Sequence, residues 1–422
     1  MKSIALFTTL IFSTATGLCQ YWKNINLTDY EMVGPDGYYL IEADPDDNSI
    51  WISSGMRLYQ IDSNSVVDFY LYSDCGATPF YKVQDIMAYQ GSILVLDDMQ
   101  GLYSYDGLDL SLLAPFQYGR KLNVDQEDSI LIGTASTNSE GFFIFDGGYQ
   151  MFATWNSPLT TNNVFDVLED SYGRKWIPLW TVSPGADAEA SCAGTGYDLI
   201  DGSTWTHFNG VDVNLPSNDI KMFIESPINT IWCATKQGYA RFNEVLEEWV
   251  LYDMANTNIP GEHIVDLQFD KSGRMWAWFL DEGVGYTYNF VDWTIFDETN
   301  SPISAPSELE GLTIDTLNRV WILGEGEVFV YSDSALDGWL GESEIIDVPQ
   351  QLNIFPNPTS HSLTITGVNG ITSIKIFDLT GKCLNQSNEN TSEIDVSLLH
   401  AGQYVVRVVS ESGTFSLRFL KK

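Results

Sequence analysis

Carboxylates dominate the reactive side chains of this 422-residue chain: 57 Asp and Glu stand against 20 Lys and Arg and four His. Only His207 and His263 fall between residues 20 and 350. So few imidazoles argue against His-based metal hydrolysis and a Ser-His triad there. No GxSxG elbow, HExxH pair or phosphate-binding loop occurs. The chemistry still open is acid–base work by paired carboxylates, as in polysaccharide cleavage, with Asp166, Asp219, Asp266 and Glu310 as candidates. A calcium loop would need the DxDxDG pattern, which is absent; the nearest acidic cluster, Asp44, Asp46 and Asp47, falls in a hairpin turn. Cys75, Cys192, Cys233 and Cys383 have neither CxxC spacing nor His neighbours, so zinc is not expected. Cys233 directly follows a strand Trp and reads as buried. No catalytic residue or cofactor is predicted, with calcium and the carboxylate-based enzyme kept as the open alternatives.

These side chains must be positioned by short strands. Thirteen Trp, 21 Tyr, 22 Phe and 34 Gly suit strands and tight turns better than helices. Aligning on one apolar position gives Trp51, Leu94, Leu131, Trp176, Trp232, Trp276 and Trp321, separated by 43, 37, 45, 56, 44 and 45 residues. Three residues before each anchor stand Asn48, Gly91, Asp128, Gly173, Asn229, Gly273 and Asn318. All seven are residue types that tolerate positive φ in a hairpin. Asp125, Asp170, Asp270 and Asp315 lie six before their anchors and read as turn-opening side chains. Each unit continues through an aromatic third strand such as LYSYDG or YARFNE, and most add a fourth such as EWVLY. Four strands in about 45 residues make a propeller blade, and stacking blades buries the anchors. The seventh unit lacks its own aromatic fourth strand, and the segment after residue 20, YWKNINL, is expected to supply it.

These units resemble two-component-regulator propeller repeats. The resemblance rests on Asp170-Gly173-Trp176, Asp270-Gly273-Trp276 and Asp315-Asn318-Trp321, and on the connections at Pro158–Asn163, Leu215–Asn218 and Ile259–Glu262. Units two and three depart from it, having no Trp anchor. In such relatives the propeller often forms the sensory half of a membrane kinase. This sequence contains neither a kinase nor a stretch of about 18 apolar residues.

Thirteen residues before each anchor lies the start of the innermost strand: Tyr38, Tyr81, Tyr118, Asn163, Asp219, His263 and Glu308. Equivalent slots of a ring converge at one mouth of its channel. Aromatic faces beside polar groups are what a sugar needs, so this ring is the candidate ligand-binding site. The blade-four loop from Thr181 to Thr195 is enlarged on the same face.

The two ends of the chain read differently. Lys2, the apolar run Ile4–Phe12 and the small residues Gly17 and Cys19 form a signal peptide over 1–19, with a mature start at Gln20. Leu18 before Cys19 disfavours lipoprotein processing. Residues 20–350 carry 13 Lys and Arg against 52 Asp and Glu, residues 351–422 six against five. The acidic part repels nucleic acid. From Gln351 alternating strands follow one another at sandwich spacing. There Pro356-Asn357-Pro358, Gly381, Gly402 and Tyr404 stand in an order that resembles the C-terminal sorting domain of type IX secretion substrates in Bacteroidetes. The resemblance implies handling by the type IX secretion machinery and its sortase. The product is then released or attached to the outer-membrane surface.

The expected architecture is all-β: signal peptide 1–19, a seven-bladed β-propeller over 20–345, a linker 346–350, and an Ig-like β-sandwich at 351–422. The expected activity is non-enzymatic binding of an extracellular ligand, with glycan the leading candidate. A secreted polysaccharide lyase or glycoside hydrolase is the alternative. Deleting 351–422 is expected to leave a folded propeller in the periplasm of a type IX-competent host. Equal amounts of truncated and full-length protein in the medium contradict the sorting assignment.

Overall fold

The structure is a computed structural model. It describes residues 21–27, 39–54, 57–61, 66–70, 82–107, 110–135, 140–182, 192–209, 213–215, 217–303, 305–333, 353–366, 370–377, 383–387, 392–410 and 413–422. The expected signal peptide and linker lie outside them.

Seven antiparallel sheets of four strands each account for the described part of the chain up to residue 333. Blade six is representative: Ile264–Phe269 innermost, then Met275–Phe279, Gly283–Thr287 and Trp293–Phe296. All seven turn residues ahead of the anchors have positive φ, from 59° at Asn229 to 84° at Gly273. That left-handed backbone explains the restriction to Gly, Asn and Asp. Blade seven takes its outer strand from the N-terminal segment, where Tyr21–Asn26 pairs antiparallel with Glu327–Ser332. The expected ring closure is therefore present. Trp22 fixes it with edge-on ring contacts at 5.0 Å to Phe296 and 5.2 Å to Tyr331.

Every anchor is a wedge into the next blade. Leu94 packs with Leu122 and Ile132 of blade three, and Trp276 with Val320 and Ile322 of blade seven. Trp321 completes the circle against Ile41 and Ile52 of blade one. In three blades a buried carboxylate fixes the wedge. Asp315 Oδ1 accepts from the Leu317 and Arg319 backbone N–H groups at 2.9 Å, while Oδ2 accepts from Arg319 Nε and, at 2.9 Å, from Trp321 Nε1. Asp170 and Asp270 repeat this with Arg174–Trp176 and Arg274–Trp276. The sequence reading took these aspartates as turn openers; they also orient the indoles. Blade five has Ser226 at that position, and Trp232 Nε1 is buried without a hydrogen-bond partner among the described residues. Cys233 beside it is fully buried, which pushes its thiol far up from the ordinary value.

The outer connections carry a second repeated device. Asn156, Asn256 and Asn300 each accept from a backbone N–H three residues back and donate to a carbonyl five residues back. In blades three, five and six this ties the last strand to the connection that leads onward.

After the propeller, a three-stranded sheet (Asn353–Phe355, Ser362–Thr366, Glu393–Asp395) accompanies a four-stranded one (Ile371–Phe377, Cys383–Ser387, Gly402–Ser410, Gly413–Lys421). Leu363, Ile374, Val406 and Phe419 share one buried core.

Trp276→Ala is expected to cost about 3–5 kcal/mol by opening an inter-blade cavity. Asp270→Ala is expected to cost about 3 kcal/mol, because it strips a partner from the buried Arg274 and from the indole. Urea unfolding measures both, and a loss below about 1 kcal/mol in either contradicts the wedge-and-clamp account.

Candidate functional site

The innermost strands surround a cavity of about 670 Å³ on the propeller axis. Blade one contributes Glu42, blade two Gln84 and Asp85, blade three Arg120 and Lys121, and blade four Phe165 and Asp166. Lys221 comes from blade five, Asp266, Gln268 and Trp278 from blade six, and Glu310 from blade seven. Sequence neighbours in one strand would not reach the axis together in this way. A β-bulge allows it in five blades: the pairing register of the innermost strand shifts at Gln84, Arg120, Lys221, Val265 and Glu310.

Lys121 is the electrostatic hub of the lining. Its ammonium lies 3.3 Å from Asp85 Oδ1 and also acts on Asp266, Asp166 and Glu42, so that one cation serves carboxylates from four other blades. Asp85 raises it furthest above the ordinary lysine range, against the opposing pull of burial. The carboxylates remain under-compensated. Burial pushes Glu42 up to about 8 and Asp166 and Asp266 up to about 6, with Lys121 opposing in each case. Asp166 is further held by Asn123 Nδ2 at 2.6 Å and by the Val167 backbone N–H at 2.9 Å. Glu310 is pushed up to about 8 by burial and by the charge of Glu325. Glu310 Oε2, Gln84 Nε2 and Trp278 Nε1 have no hydrogen-bond partner among the described residues. The lining is therefore polar and incompletely satisfied.

Three of the four channel acids read from sequence, Asp166, Asp266 and Glu310, line this cavity; Asp219 does not. Its carboxylate instead accepts from the Gly194 backbone N–H. Of the seven-residue ring, Tyr38 and Tyr81 lie outside the described residues, and Tyr118, Asn163, Asp219, His263 and Glu308 are not among the cavity's lining residues. Four of these slots share a backbone role. The carbonyls of Tyr118, Asn163, His263 and Glu308 accept from the N–H groups of Ala135, Trp180, Leu280 and Glu325, at 2.9–3.1 Å. The slot thus joins strand starts to strand ends, and the axis-facing side chains follow two or three residues later. Lys121, Lys221, Glu42 and Trp278 were missed by sequence reasoning. Basic residues inside the innermost strands of so acidic a chain were the available signal.

At the turn of Asp44, Asp46 and Asp47, Asp44 Oδ1 accepts from the Asp46 N–H at 2.9 Å and Asp47 Oδ1 from the Ser49 N–H at 2.7 Å. These carboxylates close the turn. Among the described residues, no group of three or more His, Cys, Asp or Glu is arranged to hold a metal ion.

In the sandwich, Asn357 Oδ1 accepts from the Leu420 N–H at 2.9 Å, which ties the Pro356-Asn357-Pro358 segment to the last strand. Gly402 opens the strand that carries Tyr404, whose ring stacks on Phe419 at 5.6 Å and whose hydroxyl donates to the His400 carbonyl. Gly381 lies outside the described residues. The motif residues that are described brace the sandwich.

The raised carboxyls set a pH dependence. The folded channel holds protons that the unfolded chain releases, so this contribution favours folding on the acid side. It is lost as pH climbs from the ordinary carboxylate range through about 8. Glu42→Gln is expected to melt like the parent near pH 5 and several degrees higher near pH 8.5. Equal melting at both pH values contradicts the assigned proton uptake.

Residues 353–422 match the secretion system C-terminal sorting domain family. No curated protein matches the chain in sequence. Among known structures, PorZ, an essential surface component of the type IX secretion system of Porphyromonas gingivalis, is similar at a TM-score of 0.56 and 15% identity, over 92% of this chain and 60% of that one. The extracellular domain of a one-component system from B. thetaiotaomicron is similar at 0.56 and 11%, over 98% and 62%. This chain thus spans less than two thirds of either structure's length. A streptogramin B lyase structure matches at 0.55 and 13%, over 74% of this chain and 97% of its own. At these identities the likeness shows the propeller fold. No helix among the described residues is long and apolar enough to cross a membrane. Residues 353–422 are a type IX secretion C-terminal sorting domain, and they mark the propeller ahead of them as a secreted or surface-attached protein.

Proposed function

We propose that this propeller is a non-enzymatic binding protein of the cell exterior and that its axial cavity receives a saccharide. The observation that carries the reading is the cavity itself. Its volume of about 670 Å³ falls in the range of small-ligand sites, and its lining sets carboxylates, amides, three lysines and an arginine beside the rings of Phe165 and Trp278. Sugars need that combination: hydrogen bonds to hydroxyls and an apolar ring face to stack on. The sortase that removes the tag is the expected partner on the way out, and the released or surface-held propeller meets its ligand afterwards.

One observation favours an alternative, a polysaccharide lyase or glycoside hydrolase. With its carboxyl raised to about 8, Glu310 stays protonated at neutral pH and is placed to give up a proton in the channel.

Screening the full chain on a glycan array, with polysaccharide digestion run in parallel, separates the two. Binding without product, weakened about tenfold or more by Trp278→Ala and unaltered by the exposed Tyr172→Ala, is the expected result. Product formation abolished by Glu310→Gln overturns it in favour of the enzyme. Glycan binding indifferent to Trp278→Ala removes the site from the channel.

A further inference from the structure

A large share of the propeller's few cations meets at one place. Of the 13 Lys and Arg between residues 20 and 350, Lys82, Arg120, Lys121 and Lys221 all line the one axial cavity. Lys121 serves the buried carboxylates; the other three lie at the end at which the innermost strands begin, where Arg120 and Lys82 act on Asp98 and Lys221 on Asp266. Arg120 is held in place there, its Nε and Nη2 donating to the Ala135 carbonyl at 3.0 and 2.8 Å. Lys221 is exposed, and Lys236 at the same end stands 5.2 Å above the Trp180 ring. His263 reports the local field. Burial, then Lys236 and Lys221, push its imidazole below the ordinary value, and Asp281 opposes them with the smallest influence. In a chain of net charge −37, His263 therefore sits where cations outweigh anions. Acids face these cations as well: Asp98 acts on Arg120 and Lys82, and Glu325 lies beside Glu310. Asp98 lies 3.5 Å from Arg120, and Glu310 holds its proton at neutral pH.

We propose that the saccharide taken by the channel is anionic, its acidic group held at this mouth by Lys221 and Arg120 while its ring lies against Phe165 and Trp278. The inference rests on the channel reading above and narrows its ligand to one class. Neutral sugars gain nothing from a cationic mouth. Four of the propeller's 13 basic residues meet at this cavity in an otherwise acidic segment, so the same charge pattern that admits an acidic sugar also directs it to the axis.

The test uses the full chain and a panel of oligosaccharides, each uronate or sulfated member beside its carboxyl-reduced or desulfated neutral counterpart. Titration calorimetry is expected to find an acidic member binding at least about tenfold more tightly than its counterpart. That preference should vanish in Lys221→Met and weaken as NaCl rises from about 0.05 to about 0.5 M. His263 gives a reading independent of any variant's folding: by NMR, its titration midpoint rises when the acidic oligosaccharide is bound. Uronate and sulfated arms say which acid the mouth accepts. Equal affinity for acidic and neutral partners overturns the inference; if that binding is lost in Trp278→Ala, the channel reading stands. Acidic binding indifferent to Lys221→Met, with no movement of His263, overturns the inference as well. If no oligosaccharide binds in a way that Trp278→Ala alters, both readings fall.

Discussion

The pairing of Tyr21–Asn26 with Glu327–Ser332 joins the two ends of the propeller segment, and the channel depends on it. A blade is a sheet with two apolar faces and cannot stand alone, so seven in a row would still leave two bare faces. Closing the circle covers both: Trp321 of the last blade wedges against Ile41 and Ile52 of the first, while Trp22 seals the outer edge on Phe296 and Tyr331. Only in a closed ring do the innermost strands face one axis. The grouping of Glu42, Lys121, Asp166, Asp266 and Glu310 is thus a consequence of closure, although these residues are scattered over some 270 positions of sequence.

Each wedge is held by means suited to its blade. Where Asp, Arg and Trp occur together, a buried carboxylate satisfies the turn amides, the guanidinium and the indole at once, so the charge is fully hydrogen-bonded. Blades two and three use a plain leucine and need no such clamp. The rigid outer frame lets the axis hold groups that do not serve packing. One ammonium among four carboxylates, beside polar atoms such as Glu310 Oε2 and Trp278 Nε1 that have no hydrogen-bond partner among the described residues, would be a poor way to stabilise a core. It is a reasonable way to line a solvated site.

Much of the frame was legible in the sequence. The seven anchors and the Gly, Asn or Asp three residues before each are local necessities of a hairpin, and every one of those turn residues adopts positive φ. The orphan N-terminal strand could be read from the missing fourth strand of the last unit. The sandwich was legible from alternation and motif order. The channel was less so, because a fixed count back from the anchor runs through a β-bulge. That extra residue in blades two, three, five, six and seven changes which side chain meets the axis. The chosen slot thus fell on residues such as Tyr118 and His263, whose carbonyls hold neighbouring strands, while Lys121 and Asp266 three residues further on reach the cavity.

The exported propeller, on this account, carries its ligand site at the centre of the ring and not on its acidic rim. A crystal structure of the chain with the tightest-binding oligosaccharide from the array tests that most directly. The account predicts sugar density on the axis, in contact with Trp278 and within hydrogen-bond distance of Asp166 or Glu310. Sugar bound on the outer strands or on the sandwich, with the axial cavity holding only solvent, would contradict it.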